Sequence, residues 1–226
     1  MNIQEMHNTF LVLSQQVGLH LVRGILPETI DVFLNAEIED LVQKELIDNS
    51  IIINQIGDIS NADLTPFNLF LPLVRVNEIR CSSDDIAENN DKYISYKINL
   101  SDSNLKPMIY TSSNVELDNG VKTSARLISH KLVQNTINDY CNRPTSENPI
   151  TTIIKDDSNK WLMVYGDKDF KLSKVMLYYI KYPNTVKLDD NNPVDCDLPN
   201  YVHYKIVENA VRRFQEATNS NKINNQ

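Results

Sequence analysis

Between Ile30 and Leu46 apolar residues recur every three or four positions: Ile30, Phe33, Leu34, Ile38, Leu41, Val42 and Leu46. Glu37, Glu39, Asp40, Gln43 and Glu45 fall mainly off that stripe. A helix patterned this way must bury one face against a second layer and leave the other in water, which constrains the fold more than any other feature of the chain. Pro27 suits its first turn, and Glu28 and Asp31 suit the positive end of the helix dipole. Asp48-Asn49-Ser50 is expected to end it.

Three more segments share the helical period. Met6, Phe10, Leu13 and Val17 predict a helix over residues 4–17, with Gly18 as its stop. Ala125, Ile128, Leu132, Val133, Ile137 and Tyr140 predict a third helix over about 123–141, closed by Asn142-Arg143-Pro144. Val202, Ile206, Val207, Ala210, Val211, Phe214 and Ala217 predict a last one, with Asp197 as N-cap and Pro199 in the first turn.

Strand signals lie between these helices. Ile51-Ile52-Ile53 and Leu69 to Val76 read as short extended segments, and residues 82–91 as an exposed acidic loop. Tyr93 to Leu100 alternates with period two, and Met108 to Leu117 is a further candidate strand before the turn Asp118-Asn119-Gly120. Ile150 to Lys155 and Lys160 to Tyr165 flank Asp156-Asp157-Ser158-Asn159 as a hairpin. Lys174 to Tyr182 adds a third strand, which Pro183 ends.

The expected fold is therefore α+β: an amphipathic bundle of four main helices with a small antiparallel β meander and an extended middle segment. One domain is expected over residues 1–218. It comprises a helical lead (1–50), an extended or β middle (51–120) and a helix–meander–helix portion (121–218), with a flexible tail at 219–226. With 41% hydrophobic and 23% charged residues, the 226-residue chain has the apolar content to bury a core.

Composition narrows the chemistry. Only five glycines occur, at 18, 24, 57, 120 and 166, too dispersed for a G-x-G-x-x-G or Walker A loop. Cys81, Cys141 and Cys196 are far apart and odd in number, which points to buried thiols in a reducing compartment. The first residues lack the basic region of a signal peptide, and no apolar run approaches the roughly 18 residues of a membrane span. Lys plus Arg is 22 against 30 Asp plus Glu, a net charge of −8, which argues against a dedicated nucleic-acid binder.

No catalytic pattern stands out. His7, His20, His130 and His203 sit in no hydrolase or zinc motif. The acidic cluster Asp189-Asp190-Asn191-Asn192, with Asp195 and Asp197, lacks the EF-hand glycine and terminal glutamate and reads as a solvated loop, as do Asp167 and Asp169. Asn99-Leu100-Ser101 is a chance sequon. No catalytic, cofactor or metal residues are assigned, and the chain is not expected to be an enzyme. Candidate interface residues are Tyr178, Tyr179 and Tyr182 on the last strand and Arg212, Arg213 and Phe214 on the last helix.

The C-terminal half carries an ordered set of features. A helix ends in Tyr140-Cys141-Asn142-Arg143-Pro144, and a short hairpin follows. The strand Tyr179-Ile180-Lys181-Tyr182-Pro183 comes next, then Cys196-Asp197-Leu198-Pro199, then a helix with His203, Ile206-Val207 and Ala210-Val211. Over residues 123–217 this order resembles the head–tail connector or ring proteins of tailed phages, in particular crAss-like phages of gut Bacteroidales. The resemblance implies a structural virion protein, made in the host bacterial cytoplasm. Twelve copies would form a ring against the portal protein, dock the next tail component and extend a channel through which genomic DNA passes without specific binding. It implies no cofactor and no membrane. The rival expectations are a tail-tube or baseplate component, a monomeric adaptor or assembly chaperone, and a small hydrolase or nuclease of unusual motif.

Overall fold

The computed structural model describes residues 1–16, 24–56, 65–100, 107–156, 159–189 and 191–223. Gly18, Gly57, His20, Ser101 and Asp190 of the sequence reading lie outside them. The chain divides into two compact units: Met1–Leu73 with Pro183–Gln226, and Val74–Tyr182.

The first unit is helical. α1 (Ile3–Gln16), α2 (Pro27–Ile56) and α5 (Asn200–Ile223) supply its long elements, with the short α3 at Thr65–Phe70. The apolar stripes meet as their periods require: Ile3, Met6 and Phe10, Ile30, Leu34, Ile38 and Val42, and Val202, Ile206, Val207, Ala210 and Val211 are all buried. Phe214 closes the group, edge-on to Phe10 at 5.8 Å and to Phe33 at 5.3 Å between ring centroids. Polar contacts tie the connector before α5 to the helices. Asn35 donates from Nδ2 to the Val186 carbonyl (2.9 Å) and accepts at Oδ1 from Val186 N–H (2.8 Å). Asp31 accepts from Leu188 N–H at 3.2 Å and meets His7 Nε2 at 2.8 Å, with both side chains buried.

The second unit is built on an eight-stranded sheet. Its strands are β1 (Val74–Arg80), β2 (Ile86–Asn89), β3 (Ile94–Asn99), β4 (Pro107–Leu117), β5 (Lys122–Leu127), β6 (Ile150–Asp156), β7 (Asn159–Gly166) and β8 (Leu172–Lys181). A short helix, α4 (Val133–Asn138), lies between β5 and β6. The spatial order is β1-β8-β4-β5-β6-β7-β3-β2. Neighbours are antiparallel except β5 and β6, which run parallel through Arg126↔Ile150 and Leu127↔Thr151. The sheet curls over its own inner face. Ile94, Tyr96 and Ile98 of β3 and Leu162 and Val164 of β7 share one buried cluster with Val115 of β4 and Val175 and Leu177 of β8. Gly120 takes φ +80° in the β4–β5 turn, a conformation that favours glycine. Gly166 lies so close to the Phe170 ring that a Cβ would not fit.

This architecture overturns the expected four-helix bundle with a small meander: the sheet is a principal layer of the protein. The largest error lies at 123–141, where β5 and the six-residue α4 replace one long helix. A short apolar run fits either period, and the Asp118-Asn119-Gly120 turn returns the chain as a hairpin, with Ala125 opposite Ser113. The mirror-image error occurs at Asp48-Asn49-Ser50, through which α2 continues to Ile56, taking in Ile51-Ile52-Ile53. Extending an established helix costs little per residue, so a local strand preference does not break it. The acidic 82–91 loop contains β2, the 69–76 segment is extended only from Val74, and α5 starts at Asn200 and runs through Ile223 into the expected tail. Residues 224–226 lie outside the described residues.

Candidate interaction surface

Alternation along β8 sorts its tyrosines. Val175, Leu177 and Tyr179 point into the curled sheet, whereas Met176, Tyr178 and Ile180 point outward. Tyr179 is buried, with Tyr110 directly opposite at 6.4 Å between ring centroids. Burial and the neighbouring Tyr179 raise the Tyr110 hydroxyl above its ordinary pKa. Tyr178 is half-buried on the outer face, where its hydroxyl accepts from Asn114 Nδ2 at 3.4 Å. Tyr182, just beyond the strand, is exposed.

The register joins the outward residues into one surface across β1, β8 and β4. Val74 lies opposite Ile180, and Ile180 opposite Ile109. Val76 lies opposite Tyr178, and Glu78 opposite Met176. Val74, Val76 and Ile109 are 37%, 54% and 41% exposed, whereas Ile180 between Val74 and Ile109 is buried, so one end of the face presents apolar side chains to solvent around a covered isoleucine. The other end is charged. Lys174 Nζ lies 3.1 Å from Glu78 Oε1, and Lys122 Nζ 3.6 Å from Glu116 Oε2. Arg80, opposite Lys174, has no ion-pair partner among the described residues. β1 is also a terminal strand, so the backbone groups on its outer side have no sheet neighbour among the described residues.

The three α5 candidates separate differently. Phe214 is buried in the helical core, and Arg213 pairs with Glu37 and Asp40 of α2. Both act inside the helical unit, and Arg212 alone of the three is exposed. Of the six sequence candidates, Tyr178 and Tyr182 therefore belong to the outward surface of the β unit, Arg212 lies on the helical unit, and Tyr179, Arg213 and Phe214 are internal. Val74, Val76, Ile109 and Arg80 went unrecognised in the sequence. The alternation of Val74, Val76 and Glu78 was a usable signal, but the pairing that assembles the face was not.

The β unit also holds a cavity of about 520 Å³ beside Tyr93, Ile137, Tyr140 and Arg143. Asp91, Asp167 and Asp169 share its lining with Lys92, Arg143 and Lys168, so it has no dominant sign of charge. The Arg143 guanidinium lies 5.1 Å from the Tyr140 ring centroid. Asp167 is occupied by Ser146, which donates to it from N–H and Oγ at 2.8 Å.

Groups with nucleophilic or ligating capacity are dispersed. Burial pushes the Cys81 thiol up to about 12 and the Cys196 thiol up to about 11, so neither carries a thiolate at neutral pH. His203 is buried with Nε2 2.8 Å from the Leu198 carbonyl, a contact that requires the ring N–H to donate. Among the described residues, no three His, Cys, Asp or Glu side chains gather to hold a metal, and no helix is long and apolar enough to cross a membrane. No protein-family model matches the chain, and no curated protein matches it in sequence.

Proposed function

We propose that this protein is a structural subunit of a virion ring that joins the portal to the tail and extends the DNA channel. One observation carries the reading: the outward face of β1, β8 and β4 combines exposed apolar side chains, paired charges and a terminal strand, the make-up of a protein contact surface. The resemblance over residues 123–217 suggests the kind of assembly; its hairpin, last strand and final helix are present, while β5 and α4 stand where its first helix was expected. Contacts between unlike faces of identical subunits close into a ring when the rotation per copy divides the circle. A net charge of −8 per copy suits a channel past which DNA phosphates slide without sticking. In this reading the chain is made in the host cytoplasm and ends at the portal vertex of the particle.

The test is to image the purified chain alone and mixed with the portal, and to measure the mass of what forms. A ring, or a collar on the portal, is the expected result. A monomer that ignores the portal refutes the ring and favours an adaptor or assembly chaperone. Incorporation further along the tail favours a tube or baseplate component. A basic inner wall in the assembled ring refutes the account of the channel.

A further inference from the structure

Resting on the ring reading, we infer that the outer sheet face of one copy is covered by the exposed stripe of α2 from the next copy. On α2, Glu28, Val32 and Glu39 share one exposed side, with the half-buried Ala36 between them and Gln43 beyond. Val32 is 65% exposed, a large apolar group flanked on this stripe by the carboxylates of Glu28 and Glu39. The inner stripe, Ile30, Leu34, Ile38 and Val42, is consumed within the helical unit, so this second face remains for a neighbour.

The two surfaces match in sign and in spacing. The sheet face runs from Val74, Val76 and Ile109 at its apolar end to Arg80 at its charged end, and Arg80 lacks an ion-pair partner among the described residues. The helix stripe runs from Val32 to Glu39, whose carboxylate accepts from Gln43 Nε2 at 3.2 Å and has no ion-pair partner among the described residues. Along the strand, Val76 and Arg80 are about 13 Å apart. Along the helix, Val32 and Glu39 are about 10 Å apart, and the reach of Arg and Glu side chains covers the difference. Seating Val32 and Ala36 on Val76, Tyr178 and Ile109 brings Glu39 to Arg80 and covers apolar surface on both partners. The contact is between unlike faces, so it propagates from copy to copy.

The experiment uses the full chain with the portal, in a Cys141→Ser background that removes the exposed native thiol. Val32→Cys and Val76→Cys are combined in one chain and the assembled ring is oxidised. A covalent ladder of dimers and higher species is expected, and either single variant abolishes it. Arg80→Glu or Glu39→Arg alone is expected to lower the ring population at least about tenfold at fixed concentration, and the two together to restore most of it. All four positions are exposed, so melting temperatures of the monomers verify that each variant is folded. A ring that forms without the ladder, or charge variants that assemble as the native chain does, overturns this contact and leaves the ring standing. A native chain that adds no ring to the portal overturns both.

Discussion

Replacing Phe214 by alanine tests whether α5 is held by the helical core or awaits an external partner. The ring is 8% exposed and wedged edge-on between Phe10 at 5.8 Å and Phe33 at 5.3 Å. Truncating a buried phenylalanine costs about 3–5 kcal/mol, through lost transfer energy and the cavity left behind. Two favourable ring contacts, worth about 0.5–1.5 kcal/mol each beyond area, place this site toward the upper end. At about 2–4 °C per kcal/mol for a chain of this size, the melting temperature of the helical unit falls by roughly 10 °C or more. Thermal unfolding by circular dichroism gives the magnitude, and hydrogen exchange shows which elements loosen: α1, α2 and α5, with the strands of the β unit unchanged. Phe214→Leu, which retains most of the apolar volume, recovers more than half of the loss. A change below about 1 kcal/mol, with assembly on the portal weakened instead, refutes the assignment of Phe214 to the core.

Four further outcomes are expected. Asp31→Ala leaves His7 and the Leu188 N–H without their buried acceptor and lowers stability by about 2–4 kcal/mol in urea unfolding; a value within 0.5 kcal/mol of zero contradicts the network. Tyr182→Ser and Val76→Ser alter monomer stability by less than about 1 kcal/mol while reducing ring formation on the portal, and the reverse pattern removes the outer face from consideration. Asp139 accepts from Asn142 Nδ2 at 2.7 Å and Cys141 N–H at 2.9 Å, which holds its carboxyl below the ordinary value of 3.8. Because the folded pKa is the lower one, its contribution is present above that ordinary value and lost as pH falls through the folded one; a carboxyl NMR titration with a midpoint at or above 3.8 contradicts the geometry. A thiol reagent labels the exposed Cys141 rapidly in the native protein, the half-buried Cys81 more slowly, and the buried Cys196 only on unfolding.

Local patterns were legible where one period dominated. The alternation from Tyr93 to Leu100 became β3, the Asp118-Asn119-Gly120 turn placed its glycine at φ +80°, and the stripes from Ile30 and from Val202 face the helical core. Sheet order was not legible, because Val76 meets Tyr178 across about a hundred residues and no local pattern encodes that register. The site suffered from the same gap. Tyr178 and Tyr179 are equivalent in composition, and only the strand pairing shows that one faces out while its neighbour packs on Tyr110. The inward placement of Arg213 and Phe214 was not legible for a different reason: a charged and an aromatic residue at an expected helix end suit a partner surface as well as they suit Glu37, Asp40, Phe10 and Phe33.

The β unit interrupts the helical one in sequence, and synthesis runs in one direction. The first two helices leave the ribosome long before α5, the element that covers their apolar stripes, has been made. At roughly 5–20 residues per second, they wait on the order of ten seconds, while the strands from Val74 to Tyr182 emerge and pair. Protease added to nascent chains halted before Asn200 is expected to cut α1 and α2 and to spare the sheet. Protection of both helices at that length would show that they find cover without α5.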